Sequence, residues 1–384
     1  MLSGHFVYDA DSHVAFEPEQ VFDLPSEVAV RRVRPVSVDD AADLGWGDTS
    51  YLWDGRLIPA IHGTGANPGH FPRQRTIVEQ RDVENEGNPF FGMSWPAQTL
   101  SDPEERIREN EKRGIDRAVV FPSTVYALAS DDAAVEAAFF RSYNRHIARR
   151  TGFDRSRLRW VGLLPLRHQD EAFAAIEEML QLGASAALVF GTARDRFLHD
   201  SSFTAVFREL ERSGLPLAIH AGQCFGPLQR FSDNQFRAHT VVFPLHAQLA
   251  FGSLVAGGIY DRHPGLKVAM LEFGAEWLLY LVERGEKYRN LTLGGTFTTP
   301  IPEHAIIDYT RSDRFFISGE AEDRLLLSEL ELVGEDGFLY SSDLPHEEGR
   351  DSSAEVLLSR PDLTDEQKGK ILGANASAFY RDPT

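Results

Sequence analysis

Leu215-Pro216-Leu217-Ala218-Ile219-His220 is a short apolar run that ends on an imidazole and is followed by Ala221-Gly222. A helical pattern over 202–213, closed by Gly214, stands before it. Apolar runs of this length, without alternation, suit strands buried on both faces of a parallel sheet. The polar group at the end of such a strand then faces whatever lies beyond the sheet.

The same unit recurs on either side. Residues 5–9, Ala118–Pro122, Trp160–Leu164, Ala186–Phe190, Leu266–Leu271, Arg314–Ser318 and Gly337–Ser342 read as strands. Helical patterns fall over about 102–113, 132–150, 170–182, 246–258, 275–289, 321–333 and 364–380. Asp102-Pro103 is a helix start, and Gly183 and Gly214 are helix stops. Eight strands alternating with helices predict one (β/α)8 TIM barrel over 1–384, with an open doubly wound sheet as the alternative. Residues 14–100 show no clear periodicity. They are read as an insertion after strand 1 that forms a lid over the barrel mouth. Its Trp46, Trp53 and Trp95 either wall a pocket or fill a small core of their own.

The chain has 384 residues and a formal net charge of -19. That balance speaks against nucleic acid, which needs clustered Lys and Arg, and against an anionic membrane surface. Cys224 is the single cysteine, so no internal disulfide can form, and a cytoplasmic location is expected. The N-terminus lacks a signal-peptide pattern, and no run of 18 apolar residues predicts a membrane span.

Tyr8-Asp9-Ala10-Asp11-Ser12-His13 places two carboxylates and an imidazole two residues apart. On a strand such side chains point one way. Hard oxygen and borderline nitrogen donors together suit Zn2+ or Mn2+. Asp11 is either a ligand or the group that orients His13, and Asp9 lies deeper in the barrel. His220, Glu272 and Asp343 each end a further apolar run. Barrel enzymes carry their chemistry at strand C-termini. Glu272 is a metal ligand, a proton shuttle or half of a structural ion pair; Asp343 is a ligand, a general base or a helix cap. His246 begins a predicted helix beside the mouth and is a candidate to touch substrate. His346 is a candidate partner of Asp343.

These residues stand in longer stretches that resemble the amidohydrolase superfamily, in its branch related to aminocarboxymuconate-semialdehyde decarboxylase. The stretches are Asp9–His13, Gly114–Pro122, Leu215–His220, Pro264–Gly274 and Ser342–His346. The resemblance implies a TIM barrel with one catalytic divalent metal, zinc first and manganese as the alternative. It assigns Asp11, His13, His220 and Asp343 as ligands, and implies a homodimer. Two departures stand out: Asp11 where relatives carry His or Glu, and Glu272 where many carry a histidine acid/base.

The expected activity is nonoxidative decarboxylation of a small aromatic or unsaturated carboxylic acid, with Glu272, Asp343 and His246 as catalytic residues. Two alternatives stand beside it. One is hydrolysis by metal-bound hydroxide, where the metal lowers the pKa of water from about 16 to about 7. The other is a metal-free binding protein on the same fold.

Overall fold

The computed structural model describes residues 1–14, 24–25, 34–37, 49–53, 56–59, 93–123, 130–222, 228, 235–295, 301–346 and 353–381. Trp46, Cys224 and most of the proposed lid lie outside these residues.

Eight strands form one sheet in sequence order, and every ladder within it is parallel. They are β1 (Tyr8–Val14), β2 (Arg117–Pro122), β3 (Leu158–Leu163), β4 (Ala186–Phe190), β5 (Leu217–His220), β6 (Val268–Leu271), β7 (Phe315–Ser318) and β8 (Phe338–Leu339). Backbone bonds bring the last segment back to the first. Ala10 N–H donates to the Tyr340 carbonyl at 3.0 Å, and Asp343 N–H to the Asp11 carbonyl at 2.9 Å. The result is the expected barrel, with its strands buried along their length.

The helices that flank the strands follow their end signals. Asp102 caps α1 (Pro103–Lys112) by accepting the Glu105 N–H at 3.0 Å. Asp132 caps α2 (Ala133–Thr151) in the same way. Gly183 and Gly214 close α3 (Gln169–Leu182) and α4 (Thr204–Ser213) at φ 81° and 65°, which glycine adopts without the clash a Cβ would bring. Then come α5 (Phe243–Leu254), α6 (Glu276–Leu293) and α7 (Leu326–Val333).

Several expectations need correction. The first strand covers Tyr8–Val14, not 5–9. Its polar residues break the apolar pattern, yet they are buried because they pair with one another across the barrel. The β8 ladder is confined to Phe338–Leu339, shorter than the expected 337–342. The segment read as lacking elements contains a three-stranded antiparallel sheet, Arg34–Ser37, Thr49–Trp53 and Arg56–Pro59, and a short helix, Trp95–Gln98. A helical stretch over 238–262 is long and apolar enough to cross a membrane by length and composition, but half of it is buried within the protein. There it acts as a core helix of the barrel wall.

Candidate metal centre

Strand β1 carries a register shift between Asp9 and Ser12. The shift parts the three side chains that an ideal strand would align. Asp9 turns inward, where its carboxylate takes the Ser342 N–H at 2.8 Å and the Ser342 hydroxyl at 2.5 Å. Burial raises the Asp9 carboxyl to about 7 against those two donors. Asp11 and His13 face the barrel mouth instead, which fits the reading that Asp9 sits deeper.

At the mouth five of the expected groups meet. His13 Nε2 lies 3.3 Å from Asp11 Oδ1 and 3.2 Å from Asp343 Oδ1. His220 Nε2 lies 3.2 Å from Asp11 Oδ2 and 3.0 Å from Glu272 Oε2. His220 Nδ1–H donates to the Ala221 carbonyl at 2.7 Å. That bond fixes the tautomer and turns the Nε2 lone pair towards the carboxylates.

The centre is built to hold a cation. Among the described residues, Asp11 Oδ1, His13 Nε2, His220 Nε2 and both Asp343 oxygens are buried without a hydrogen-bond partner. Such groups are costly unless something compensates them. A tetrahedral ion with ligand bonds of about 2.05 Å has donor–donor edges of about 3.3 Å. The His13–Asp11, His13–Asp343 and His220–Asp11 separations of 3.2–3.3 Å match that figure. One donor each from Asp11, His13 and His220 falls within 4.8 Å of the others, and Asp343 joins through His13, in a second such group with His346. Two imidazole nitrogens and carboxylate oxygens form a donor set that zinc and manganese both accept.

The electrostatics agree. Burial opposes ionisation of Asp11, but His220 and His13 outweigh it and lower its pKa. Asp343 is likewise buried, and His346 and His13 hold it well below the usual carboxylate range. Burial opposes charge on His13, yet Asp11 and Asp343 lift it to about 9. The cluster thus draws positive charge to its centre.

Two of the carboxylates stand on strained backbone. Glu272 has φ 61° and Asp343 has φ 57°, in the left-handed region that L-residues rarely occupy. Strain of this kind costs about 1–3 kcal/mol and gathers at functional sites. Asp343 also leads into a cis Leu344–Pro345 bond. His346 packs on the His13 ring at 3.8 Å between centroids, with Nδ1 2.8 Å from Asp343 Oδ1 and Nε2 2.9 Å from Ser123 Oγ. Phe121, at the end of β2, stacks on His220 at 5.0 Å and so fixes its ring plane.

Arg106 is a positioning residue absent from the sequence reading. It is fully buried on α1. Its Nη2 donates to Ser12 Oγ at 2.6 Å, the His13 carbonyl at 3.0 Å and the Leu344 carbonyl at 3.4 Å. Its Nη1 reaches the Ala97 carbonyl at 3.3 Å and its Nε the Asn110 side chain at 3.2 Å. One guanidinium therefore ties β1 to the segment that carries Asp343. Burial lowers its pKa to about 10, still charged at neutral pH.

A cavity of about 580 Å³ opens over the centre, lined by Asp11, Glu272 and Asp343 and walled by Phe243, Phe273 and Trp277. These aromatics form the described wall. Trp46 lies outside the described residues, and the side chains of Trp53 and Trp95 are among those not described. His246 is not among the residues brought together at the centre. It sits on α5, fully buried, with its backbone against Gly191, where an added Cβ would come within 2.7 Å of the His246 carbonyl. Burial lowers its pKa to about 4, so it is neutral.

Comparison with known proteins accords with this geometry. The family profile described as Amidohydrolase matches residues 69–381. The chain belongs to the amidohydrolase family. It is 24% identical over 286 residues to a 2-amino-3-carboxymuconate-6-semialdehyde decarboxylase of Dictyostelium discoideum, covering 72% of this chain and 76% of that one. Its fold matches an amidohydrolase of Mycobacterium avium subsp. paratuberculosis with a TM-score of 0.77, at 20% identity and 98% coverage of both chains. It also matches a 5-carboxyvanillate decarboxylase of Novosphingobium aromaticivorans, complexed with manganese and 4-hydroxy-3-methoxy-5-nitrobenzoic acid, with a TM-score of 0.70 at 16% identity, covering 98% and 96%.

Proposed function

We propose that this member of the amidohydrolase family is a metal-dependent carboxy-lyase, which removes CO2 from a small aromatic or unsaturated carboxylic acid without an oxidant. The observation that carries the reading is the cluster of buried donors from Asp11, His13, His220 and Asp343, unpartnered among the described residues, of which Asp11 and Asp343 line an aromatic-walled cavity. The decarboxylases to which the chain is similar support the same reaction class.

Asp11, His13, His220 and Asp343 would hold one divalent ion, zinc first by their mixed nitrogen and oxygen donors. Manganese is the alternative, in line with the manganese-containing structural neighbour. When bound, the ion supplies charge that holds the substrate's oxygens and withdraws electrons from the carbon that loses CO2. Phe243, Phe273 and Trp277 orient the apolar part of the substrate and exclude water. Glu272, which lines the cavity beside His220, delivers a proton to the carbon left by CO2. Asp343, held ionised by its two histidines, keeps the ligand set negative and serves less well as an acid. His246, three residues beyond Phe243 on α5, lies outside the described cavity lining and is assigned no proton transfer. We take the active form to be a homodimer; exposed Tyr280 and Leu293 on α6 offer apolar surface for it.

One observation favours hydrolysis as a second reading. The described cavity lining holds Asp11, Glu272, Glu276, Glu320 and Asp343, with His239 as its only titratable nitrogen. Such a wall suits an uncharged substrate better than a carboxylate. A panel of hydroxybenzoic and unsaturated carboxylic acids, followed for CO2 release and for 18O uptake from water, separates the two. Release of CO2 without 18O in the organic product supports the lyase, and 18O in a cleaved amide or ester replaces it. In the same assay Glu272→Gln is expected to abolish turnover while His246→Leu retains it; the reverse would exchange their roles.

A further inference from the structure

Away from the candidate metal centre, three carboxylates converge where α6 and α7 begin. Glu276 opens α6, Asp323 lies in the loop after β7, and Glu329 lies in the first turn of α7. One oxygen from each falls within 4.8 Å of the others. We propose that Glu276, Asp323 and Glu329 form a second cation site, suited to a hard divalent ion such as calcium.

Glu329 carries the argument. Its residue is 1% exposed, and both carboxylate oxygens are buried without a hydrogen-bond partner among the described residues. A buried carboxylate in that state must find a cation or keep a proton. The other two carboxylates are held in position by backbone amides. Glu276 Oε2 accepts the Ala275 N–H at 3.1 Å, and Asp323 Oδ2 accepts the Glu320 N–H at 3.0 Å. Arg360 stands close, but it donates to the Ala321 carbonyl at 2.9 Å, the Asp323 carbonyl at 2.7 Å and the Asp362 carboxylate at 2.7 Å. It braces the loop and is itself neutralised by Asp362. Burial, reinforced by Asp323 and Glu276 and only partly offset by Arg360, pushes Glu329 up to about 8.

The donors select the ion. All three are carboxylates, with no imidazole or thiolate, which favours calcium, magnesium or manganese over zinc. Calcium takes oxygen ligands at about 2.4 Å, so donors on opposite sides of it lie about 4.8 Å apart, and it tolerates irregular geometry that magnesium does not. Glu276 also lines the cavity that contains Asp11, Glu272 and Asp343. A cation there would place positive charge on a wall whose described titratable members are acidic apart from His239.

The test is calcium binding, by titration calorimetry and thermal melting with CaCl2, to the metal-loaded wild type and Glu329→Gln variant and to the His220→Ala variant, which lacks the first metal. The proposal predicts one calcium per chain and a rise in Tm in wild type. It predicts retention of both in His220→Ala, and at least a tenfold loss of affinity with no rise in Tm in Glu329→Gln. If Glu329→Gln does not fold, Asp323→Asn, at a half-buried position, is expected to give the same loss. Absence of binding at millimolar calcium would overturn the proposal and leave Glu329 holding a proton. Binding that survives in Glu329→Gln or Asp323→Asn, or that disappears only in His220→Ala, would overturn it by placing the calcium elsewhere.

Discussion

His13 Nε2 and Asp11 Oδ1 lie 3.3 Å apart, on one strand and two residues distant in sequence, with neither atom hydrogen-bonded elsewhere among the described residues. An imidazole and a carboxylate aimed in this way at a third partner are two corners of one coordination sphere. Asp11→Asn keeps the shape and removes the charge. It is expected to weaken metal binding by about 10- to 100-fold, the range seen for tuning groups around metal sites. Metal content after dialysis against a graded chelator series checks this. An unchanged affinity would move Asp11 out of the ligand set.

Glu272 stands at φ 61° and 3.0 Å from His220 Nε2. Two substitutions separate its chemistry from its strain. Glu272→Gln should keep the bound metal and lower kcat by at least about 100-fold, the scale of general acid–base catalysis. Glu272→Gly should also be inactive, yet more stable than Glu272→Gln by about 1 kcal/mol, because glycine adopts positive φ freely. Urea denaturation measures the second effect. A glycine variant less stable than the glutamine variant would mean that the backbone there is unstrained.

Arg106 satisfies carbonyls from three separate segments of the chain. Arg106→Met fills much of the volume but removes five buried side-chain hydrogen bonds; the Leu344 and Ala97 carbonyls keep backbone donors, from His13 at 2.7 Å and Leu100 at 3.3 Å. Unmade buried hydrogen bonds cost about 1–3 kcal/mol each. A loss of at least about 3 kcal/mol of stability is expected, together with weaker metal binding because β1 and the Asp343 segment part. A variant as stable as wild type would contradict the role given to this residue.

Glu136, on α2, is 4% exposed and pairs with Arg167 at 3.0 Å. Burial raises its carboxyl to about 7, and Arg167 opposes the rise. The folded protein therefore binds this proton more tightly than the unfolded chain does. The stabilisation is fully present below about pH 4.5 and is lost as pH rises through about 7. The difference of about 2.5 units corresponds to at most about 3 kcal/mol. Glu136→Gln should remove that slope. Denaturation midpoints of the two proteins should diverge between pH 5 and pH 8, and parallel profiles would contradict the assignment.

The barrel was legible because the strands after β1 are short apolar runs bounded by helix signals, and because His220, Glu272 and Asp343 follow or end such runs. The bulge in β1 was not, since it depends on Asp9 finding Ser342 from the far end of the chain. Arg106 was hidden for a similar reason. It sits in a helix dense with charge, and only the return of the Leu344 segment buries it. Its i, i+4 partner Asn110 gives a faint local sign of a polar buried face. Glu329 was more readable. It shares the buried stripe of α7 with Leu326, Leu330 and Val333, where helical spacing leaves a carboxylate among apolar neighbours. The part of the aromatic wall formed by Phe243, Phe273 and Trp277, which follow strands β5 and β6, was not read from the sequence, because tryptophan content drew attention to the insertion.

The central claim is a single metal centre held by Asp11, His13, His220 and Asp343. Elemental analysis of protein purified without chelator, beside the His220→Ala variant, tests it most directly. The account predicts about one zinc or manganese per chain in wild type, lost in the variant. No metal after incubation with Zn2+ and Mn2+, or equal retention in His220→Ala, would contradict it.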